Sequence, residues 1–321
     1  MRWSFPKLTF LYVLLFRKLG AYLVSINSVK VENIMYAVTG ASGQLGRLVI
    51  DALLRTARPS DIVALVRNPA KLSDLAARGV VVRAFDYDAP DTLEPALAGV
   101  ERMLLISSSE VGSREAQHKA VISAAKTAGV GYIAYTSILH ADVNPMNLAV
   151  EHRATEAAIK ASGLPYAILR NGWYTENYGM SAAAAIEHGA LVGSAGDGRI
   201  SSASREDYAD AAAAVLIDGS AETRVFELAG DDAFTLAEFA AAIGQIAGRP
   251  VVYQDLPQDD YRRILEGAGL PASIADMLAE SDAKAATGSL FDDGRALSAL
   301  IGRPTTPWRT TLADALKSRQ G

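Results

Sequence analysis

The chain has 321 residues, half of them hydrophobic, with 31 Lys and Arg against 36 Asp and Glu and a formal net charge of −5. That length gives one large or two modest domains with enough core to fold unaided. The interspersed charges exclude a basic nucleic-acid face and a disordered acidic tail. Cysteine is absent, which excludes disulfides, iron–sulfur clusters and thiolate catalysis and fits a reducing compartment, so a cytoplasmic location is expected. The four histidines, His118, His140, His152 and His188, lack metal-site spacing, and no metal centre is expected.

Residues 1–34 read differently from the rest. "LTFLYVLLF" (8–16) is apolar and is flanked by Arg2 and Lys7 before it and Arg17 and Lys18 after it. A bilayer span needs roughly 20 apolar residues, which this run does not reach. No small-x-small cleavage site follows it. Met35 stands directly before the first strand, so the extension reads as a gene-start artefact or as an interfacial, membrane-associating segment. Any membrane association would come through these residues alone.

From Met35 short β-rich runs alternate with helix-like stretches. "YAVTG" (36–40) predicts a strand and "QLGRLVIDALLRT" (44–56) a helix with Leu45, Leu48, Val49, Ala52 and Leu53 on one face. Strands follow at 61–67, 80–86, 102–107, 132–137 and 165–170, with helices near 70–78, 91–98, 113–128 and 148–162. Continuous apolar runs rather than strict alternation mark strands covered on both faces. The fold class is therefore α/β, a doubly wound parallel Rossmann-type sheet with a smaller C-terminal substrate-binding lobe. The domain reading is 35–170 for the NADP-binding part and 171–321 for the substrate lobe, partly interleaved with the sheet. Past Arg170, "NGWYTENY" reads as a polar-aromatic loop and 204–217 as a helix behind a Ser204…Asp207 cap. A strand at 223–230, a Thr-capped helix at 235–248 and a strand at 251–257 follow, then mostly helical material.

Gly40, Gly43 and Gly46 stand at i, i+3 and i+6 in "VTGASGQLG", between the first strand and the first helix. In that context one glycine makes the tight turn, one lets the backbone approach a pyrophosphate, and one permits close helix–strand packing. The helix N-terminus adds unpaired N–H donors and partial positive charge. The second strand ends in "LVRNP", so Arg67 stands where an acid would read the ribose 2′-hydroxyl of NAD; a guanidinium there can hold the 2′-phosphate of NADP. Asp86, closing the third strand, can meet the adenine. The hydroxyls of Ser107, Ser108 and Ser109 can lie beside ribose and diphosphate.

A short-chain alcohol dehydrogenase needs a Tyr with Lys four residues on. None of the twelve tyrosines has one. Ser137 falls where such enzymes carry a polar helper, without its Tyr partner. His152 is left as a ribose contact or a helix-surface histidine, with the surface reading preferred.

The segments "VTGASGQLG", "VRNPAK", "LLISSSEVG", "QHKAVISAAKTAGV", "AYTSILHAD", "LRNGWYTENY" and "AGDGRISSASREDYA" resemble the NmrA-like atypical short-chain dehydrogenase/reductase family. Within it they are most similar to the bacterial type 2 NAD(P)H:quinone oxidoreductases. The resemblance covers 35–321, and its GxxGxxG spacing, with Ser42 in place of a middle glycine, is typical of such proteins. It implies hydride transfer from NADPH to a quinone without flavin. It also implies cofactor contacts at Gly40, Ala41, Ser42, Gly43, Gln44 and Leu45, and Gly46, the third glycine of the turn, is counted with them as a cofactor-binding residue. Further contacts are implied at Arg67, at Ser107 to Ser109, and along the loop Asn171, Gly172, Trp173, Tyr174, Thr175 and Glu176. That loop follows a strand, so Trp173, Tyr174 and Tyr178 can shape a flat pocket, and Ser137, Trp173 and Asn177 are candidates for positioning the substrate.

A quinone explains the missing Tyr–Lys pair. Hydride addition leaves an aromatic phenolate of moderate basicity that water can protonate, so forgoing general acid help, typically ~10²–10⁴-fold, is tolerable. Positioning, up to ~7–11 kcal/mol in well-oriented systems, becomes the main lever. The expected partner is a small-molecule quinone, with no nucleic acid, in a monomer or homodimer. The alternative is a non-catalytic NADP-sensing regulator of the NmrA type; a nucleotide-sugar epimerase is disfavoured by the missing Tyr–Lys pair.

Overall fold

The unbroken apolar runs form the strands of one parallel sheet. The computed structural model describes residues 34–317; the expectations for the leading segment lie outside them. In chain order the strands are β1 (Tyr36–Val38), β2 (Ile62–Val66), β3 (Val81–Ala84), β4 (Arg102–Leu105), β5 (Tyr132–Ile138), β6 (Tyr166–Asn171), β7 (Ala190–Gly193), β8 (Arg224–Leu228) and β9 (Val252–Asp255). Seven of them pair in the order β3-β2-β1-β4-β5-β6-β8, all parallel. Every residue of β2, β4 and β5 is buried, whereas the edge strands β3 and β8 are partly open. Each Val, Leu or Ile so covered contributes roughly 1.5–3 kcal/mol.

The helices are α1 (Gln44–Leu53), α2 (Ser73–Ala77), α3 (Leu93–Ala96), α4 (Arg114–Thr127), α5 (Asn147–Ser162), α6 (Thr175–Gly179), α7 (Ala182–His188), α8 (Arg205–Ile217), α9 (Leu236–Ala247), α10 (Gln258–Gly267), α11 (Ala272–Ala285), α12 (Ala296–Ile301) and α13 (Trp308–Lys317). α1 packs against α8, sharing a core with Leu45, Val49, Leu53, Ala209, Ala212 and Leu216. α4 packs against α5, and their Val121, Ile122 and Ile159 join a second core. The two helix layers cover opposite faces of the sheet, which is why the strands lack polar alternation.

The caps read from the sequence are present. Ser204 Oγ accepts the Asp207 N–H at 3.1 Å, and Thr235 exchanges hydrogen bonds with Glu238 in a full capping box. The helices expected near 70–78 and 91–98 are instead single 3₁₀ turns opening at Pro69 and Pro90, followed by the short α2 and α3. Proline suits a first helical turn, and too few residues follow to build more. α1 stops at Leu53 rather than Thr56.

Beyond β6 the chain contributes to two places. β8 joins the large sheet beside β6, and β7 pairs with β9 in a separate two-stranded parallel sheet. β7 went unread because "ALVG" is four residues long and follows a Gly-ended helix. Around the small sheet lies a third core in which Phe234 and Phe239 stack at 5.0 Å and Trp308 lies 4.8 Å from Phe234.

Candidate active site

β1 and β4 are neighbours, flanked by β2 and β5, so the winding reverses between them. In open α/β sheets the crevice outside the carboxyl ends at such a reversal is the place for a ligand. A cavity of about 450 Å³ lies there, lined by Gly40, the 42–46 turn, Arg67, Asp86 and Ser107 to Glu110 among others.

The three glycines do different work. Gly40 has φ +59°, a left-handed conformation that favours glycine. Gly43 donates its N–H to the Gly40 carbonyl at 2.9 Å and precedes α1 with no side-chain cap. A Cβ on Gly46 would lie 2.4 Å from the Gly40 oxygen and 2.8 Å from Ala41 Cα, so helix and turn touch as only glycine allows. The first backbone bond into α1 runs from Arg47 N–H to Gly43 O at 3.0 Å. The amides of Gln44, Leu45 and Gly46 precede it at the helix's positive end, and all three residues line the cavity. This cradle fits a diphosphate. Ala41 is different: it is fully buried and donates its N–H to Leu65 O at 3.2 Å, so it does not line the cavity.

Arg67 stands at the end of β2, largely exposed, and pairs with Glu110 at 3.3 Å. Lys71, one 3₁₀ turn later, lines the same cavity, which puts two cations at the end of β2. Asp86 accepts the Asp88 N–H at 3.1 Å. The Ser107 amide is held by Thr136 Oγ1 at 2.8 Å, and Ser109 is exposed toward the cavity.

The expected covering loop is built differently. Asn171 belongs to β6, and Thr175–Gly179 is helical rather than loop. Of Asn171 to Glu176, Tyr174 alone lines the cavity, with the Arg205 guanidinium 4.5 Å over its ring. Gly172 is pinned beneath Tyr208 and Ser201, and Thr175 is buried on Ser202 at 2.7 Å. Glu176 accepts the Arg205 N–H at 2.9 Å. Trp173 and Tyr178 pack half-buried against the third core, Tyr178 edge-on to Phe234, rather than forming a flat pocket with Tyr174. Asn177 is exposed and bonds Arg205. A tight turn after β6 that must reach the 201–205 segment leaves these side chains little freedom.

Two polar residues also differ from expectation. Ser137 is buried, lies outside the cavity and donates its hydroxyl to Glu156 at 2.7 Å. Burial pushes the Glu156 carboxyl up, but the bonds from Arg170 and Ser137 outweigh it and hold the pKa below the ordinary value. Arg170 grips both Glu156 oxygens, at 3.0 and 2.9 Å, and also reaches Glu227 at 2.7 Å. His152 is neither on the helix surface nor at the cavity: it is buried on the sheet-facing side of α5, with Nδ1 2.8 Å from the Tyr135 hydroxyl.

Sequence reasoning did not single out Asn68, Lys71, Tyr87, Gln117 or Arg205, all of which line the cavity. Lys71 sits four residues after Arg67, a spacing that returns a side chain to the same side of one turn. Arg205 follows the Ser204 cap, a position the cap itself fixes at the start of α8. Among the described residues no group of three or more His, Asp or Glu could hold a metal, and no helix is long and apolar enough to cross a membrane.

The family of NAD(P)H-binding proteins matches residues 40–218. Quinone oxidoreductase 2 of Escherichia coli (strain K12) is 55% identical over 282 residues, covering 88% of this chain and 97% of that protein. The crystal structure of an NADPH-dependent quinone oxidoreductase from Escherichia coli, complexed with NADPH, superposes with a TM-score of 0.86 at 54% identity, covering 88% of this chain and 100% of the other. The Citrobacter sp. triphenylmethane reductase complexed with NADP(H) superposes with a TM-score of 0.84 at 38% identity over 87% of this chain and 99% of the other.

Proposed function

Because the chain belongs to the NmrA-like NAD(P)H-binding family, we infer that it is an NADPH-dependent quinone oxidoreductase working by direct two-electron hydride transfer without flavin. The observation that carries the cofactor reading is the single cavity joining the glycine cradle to the Arg67–Lys71 pair of cations. The 55% identity to a quinone oxidoreductase, over nearly the whole of both proteins, supports the substrate class.

When bound, NADPH supplies the hydride that a quinone accepts. The amides of Gln44, Leu45 and Gly46, with Gly43 before them, would hold the diphosphate at the positive end of α1. Arg67 and Lys71 would take the 2′-phosphate through charge-assisted hydrogen bonds, which are roughly twice as strong as neutral ones. Asp86 is proposed to meet the adenosine end, and Ser107 to Ser109 the middle of the cofactor. Tyr174, with the Arg205 guanidinium over its ring, would contribute its face to the same cavity.

The chain's part in the chemistry is positioning. No side chain lining the cavity is a Tyr–Lys pair, and Ser137 spends its proton on Glu156. The phenolate formed when hydride adds to a quinone tolerates this, since water can protonate it. Mixing the purified protein with NADPH and a simple benzoquinone, and following loss of the reduced nicotinamide band, tests the reading. Turnover supports it. Tight NADPH binding with no turnover of any quinone replaces it with a cofactor-sensing role.

A further inference from the structure

Behind the cavity wall lies a closed set of buried polar side chains that the hydride-transfer reading does not use. Ser108 is its centre. The Ser108 N–H donates to His118 Nε2 at 3.0 Å, and the Ser108 carbonyl accepts from Arg114 Nε at 2.7 Å. Both backbone groups of one cavity-lining residue are thus held by side chains of α4. Those side chains are held in turn by α5 and β5. His118 Nδ1 lies 2.9 Å from Thr155 Oγ1, which donates to the Glu151 carbonyl at 3.0 Å. Arg114 reaches His152 Nε2 at 3.4 Å and the Glu151 carboxylate at 3.5 Å, and His152 Nδ1 meets the Tyr135 hydroxyl at 2.8 Å. His118, Arg114, His152 and Thr155 are each at most 5% exposed.

The donor directions fix the tautomers. A backbone N–H only donates, so His118 Nε2 accepts and its proton sits on Nδ1, facing Thr155. A guanidinium only donates, so His152 Nε2 accepts and its Nδ1–H faces Tyr135. Both imidazoles must be neutral. Burial first, and the Arg114 charge second, push His118 down to about 3 and His152 well below its ordinary value.

We propose that His118 and Arg114 are positioning residues that clamp the Ser108 peptide, so that Ser107 to Ser109 are presented in the one conformation that receives NADPH, with Thr155 and His152 holding the clamp in its working tautomer. The clamp explains why a loop opposite the glycine cradle needs no regular structure. Ser108 Oγ also accepts the Glu110 N–H at 3.2 Å, so the same clamp sets where Glu110 meets Arg67. The proposal rests on the cofactor reading above. It adds that affinity for NADPH depends on side chains that never touch the cofactor.

The test uses the full chain with three variants. His118→Leu keeps a comparable apolar volume and removes the acceptor. His118→Gln can accept from Ser108 and donate to Thr155. Arg114→Met removes the other half of the clamp. The expected result is an NADPH dissociation constant raised about tenfold in His118→Leu, the scale of leaving one buried amide unpaired. At saturating NADPH its kcat stays within twofold, the effect falls on KM, and His118→Gln recovers most of the affinity. Amide exchange at Ser108 should quicken in His118→Leu and slow again in His118→Gln. Unchanged NADPH affinity in His118→Leu with a fast-exchanging Ser108 amide overturns the clamp while leaving the cofactor reading intact. A parent chain that binds no NADPH overturns both. If His118→Leu does not fold, Arg114→Met and His118→Gln decide: the proposal fails if Arg114→Met binds NADPH like the parent or if His118→Gln loses tenfold.

Discussion

Ser137 and Glu156 share a buried hydrogen bond of 2.7 Å, and through it the end of β5 is tied to Arg170 on β6. The serine that occupies a catalytic station in other dehydrogenases is here part of a structural pair. Ser137→Ala should therefore cost about 1.5–3 kcal/mol of stability, the worth of a hydrogen bond to a charged group, and change kcat only a few-fold. Urea unfolding and steady-state rates on the same preparation check this; loss of turnover in a stable Ser137→Ala protein would give the hydroxyl a direct role.

Arg170→Met should behave otherwise. It leaves the Glu156 carboxylate buried without its bidentate partner, a change that typically costs ~3–5 kcal/mol. A folded, normally stable Arg170→Met chain would show that Lys160, 3.6 Å from Glu156, suffices as a counter-ion.

Cofactor choice should follow the two cations at the end of β2. Arg67→Asp should weaken NADPH by tenfold or more and NADH far less, since only the former carries a 2′-phosphate. Lys71→Ala should act in the same direction with smaller effect. Binding constants measured by calorimetry decide, and equal losses for both cofactors would remove Arg67 from the role.

Buried titratable groups give opposite pH signatures. The folded state keeps His118 neutral, with a pKa of about 3, while the unfolded chain protonates near its ordinary 6.5. Unfolding thus takes up a proton, and this contribution to stability is complete above 6.5 and is lost as pH falls toward 3. Relative to His118→Gln, the parent should lose stability across that window. Asp282 has the reverse sign: burial first, eased by the Ser194 N–H, lifts its carboxyl to about 7 from 3.8. Its contribution is present below 3.8 and lost as pH rises to 7, so Asp282→Asn should melt higher than the parent at pH 8 with no such advantage at pH 3.5. Flat differences in either comparison would contradict these assignments.

The sheet and the glycine cradle were legible because their signals are local. A buried strand announces itself as an apolar run, and a helix-opening turn that admits no Cβ must be glycine at Gly46. Arg67 was legible by its place at a strand end. Lys71 and Arg205 were not, since each reaches the cavity only through a turn whose direction the tertiary packing sets. Ser137 went astray because its position matches that of a polar helper in other dehydrogenases, whereas its hydroxyl is taken up by Glu156. His152 was taken for a surface histidine because nothing in the local spacing shows that its helix turns it inward onto Tyr135. The aromatics Trp173 and Tyr178 read as a substrate pocket because neither composition nor spacing reveals the core around Phe234 into which they pack.

The central claim is direct hydride transfer from NADPH to a quinone on this chain alone. The most direct measurement is a single turnover of purified, flavin-free protein with NADPH carrying deuterium at the transferred C4 position, followed optically and by electron paramagnetic resonance. The account predicts stoichiometric oxidation of NADPH by a simple benzoquinone, slowed by the deuterium and without a radical signal. Failure of flavin-free protein to turn over, or a radical signal from the quinone rising in step with NADPH loss, would contradict it.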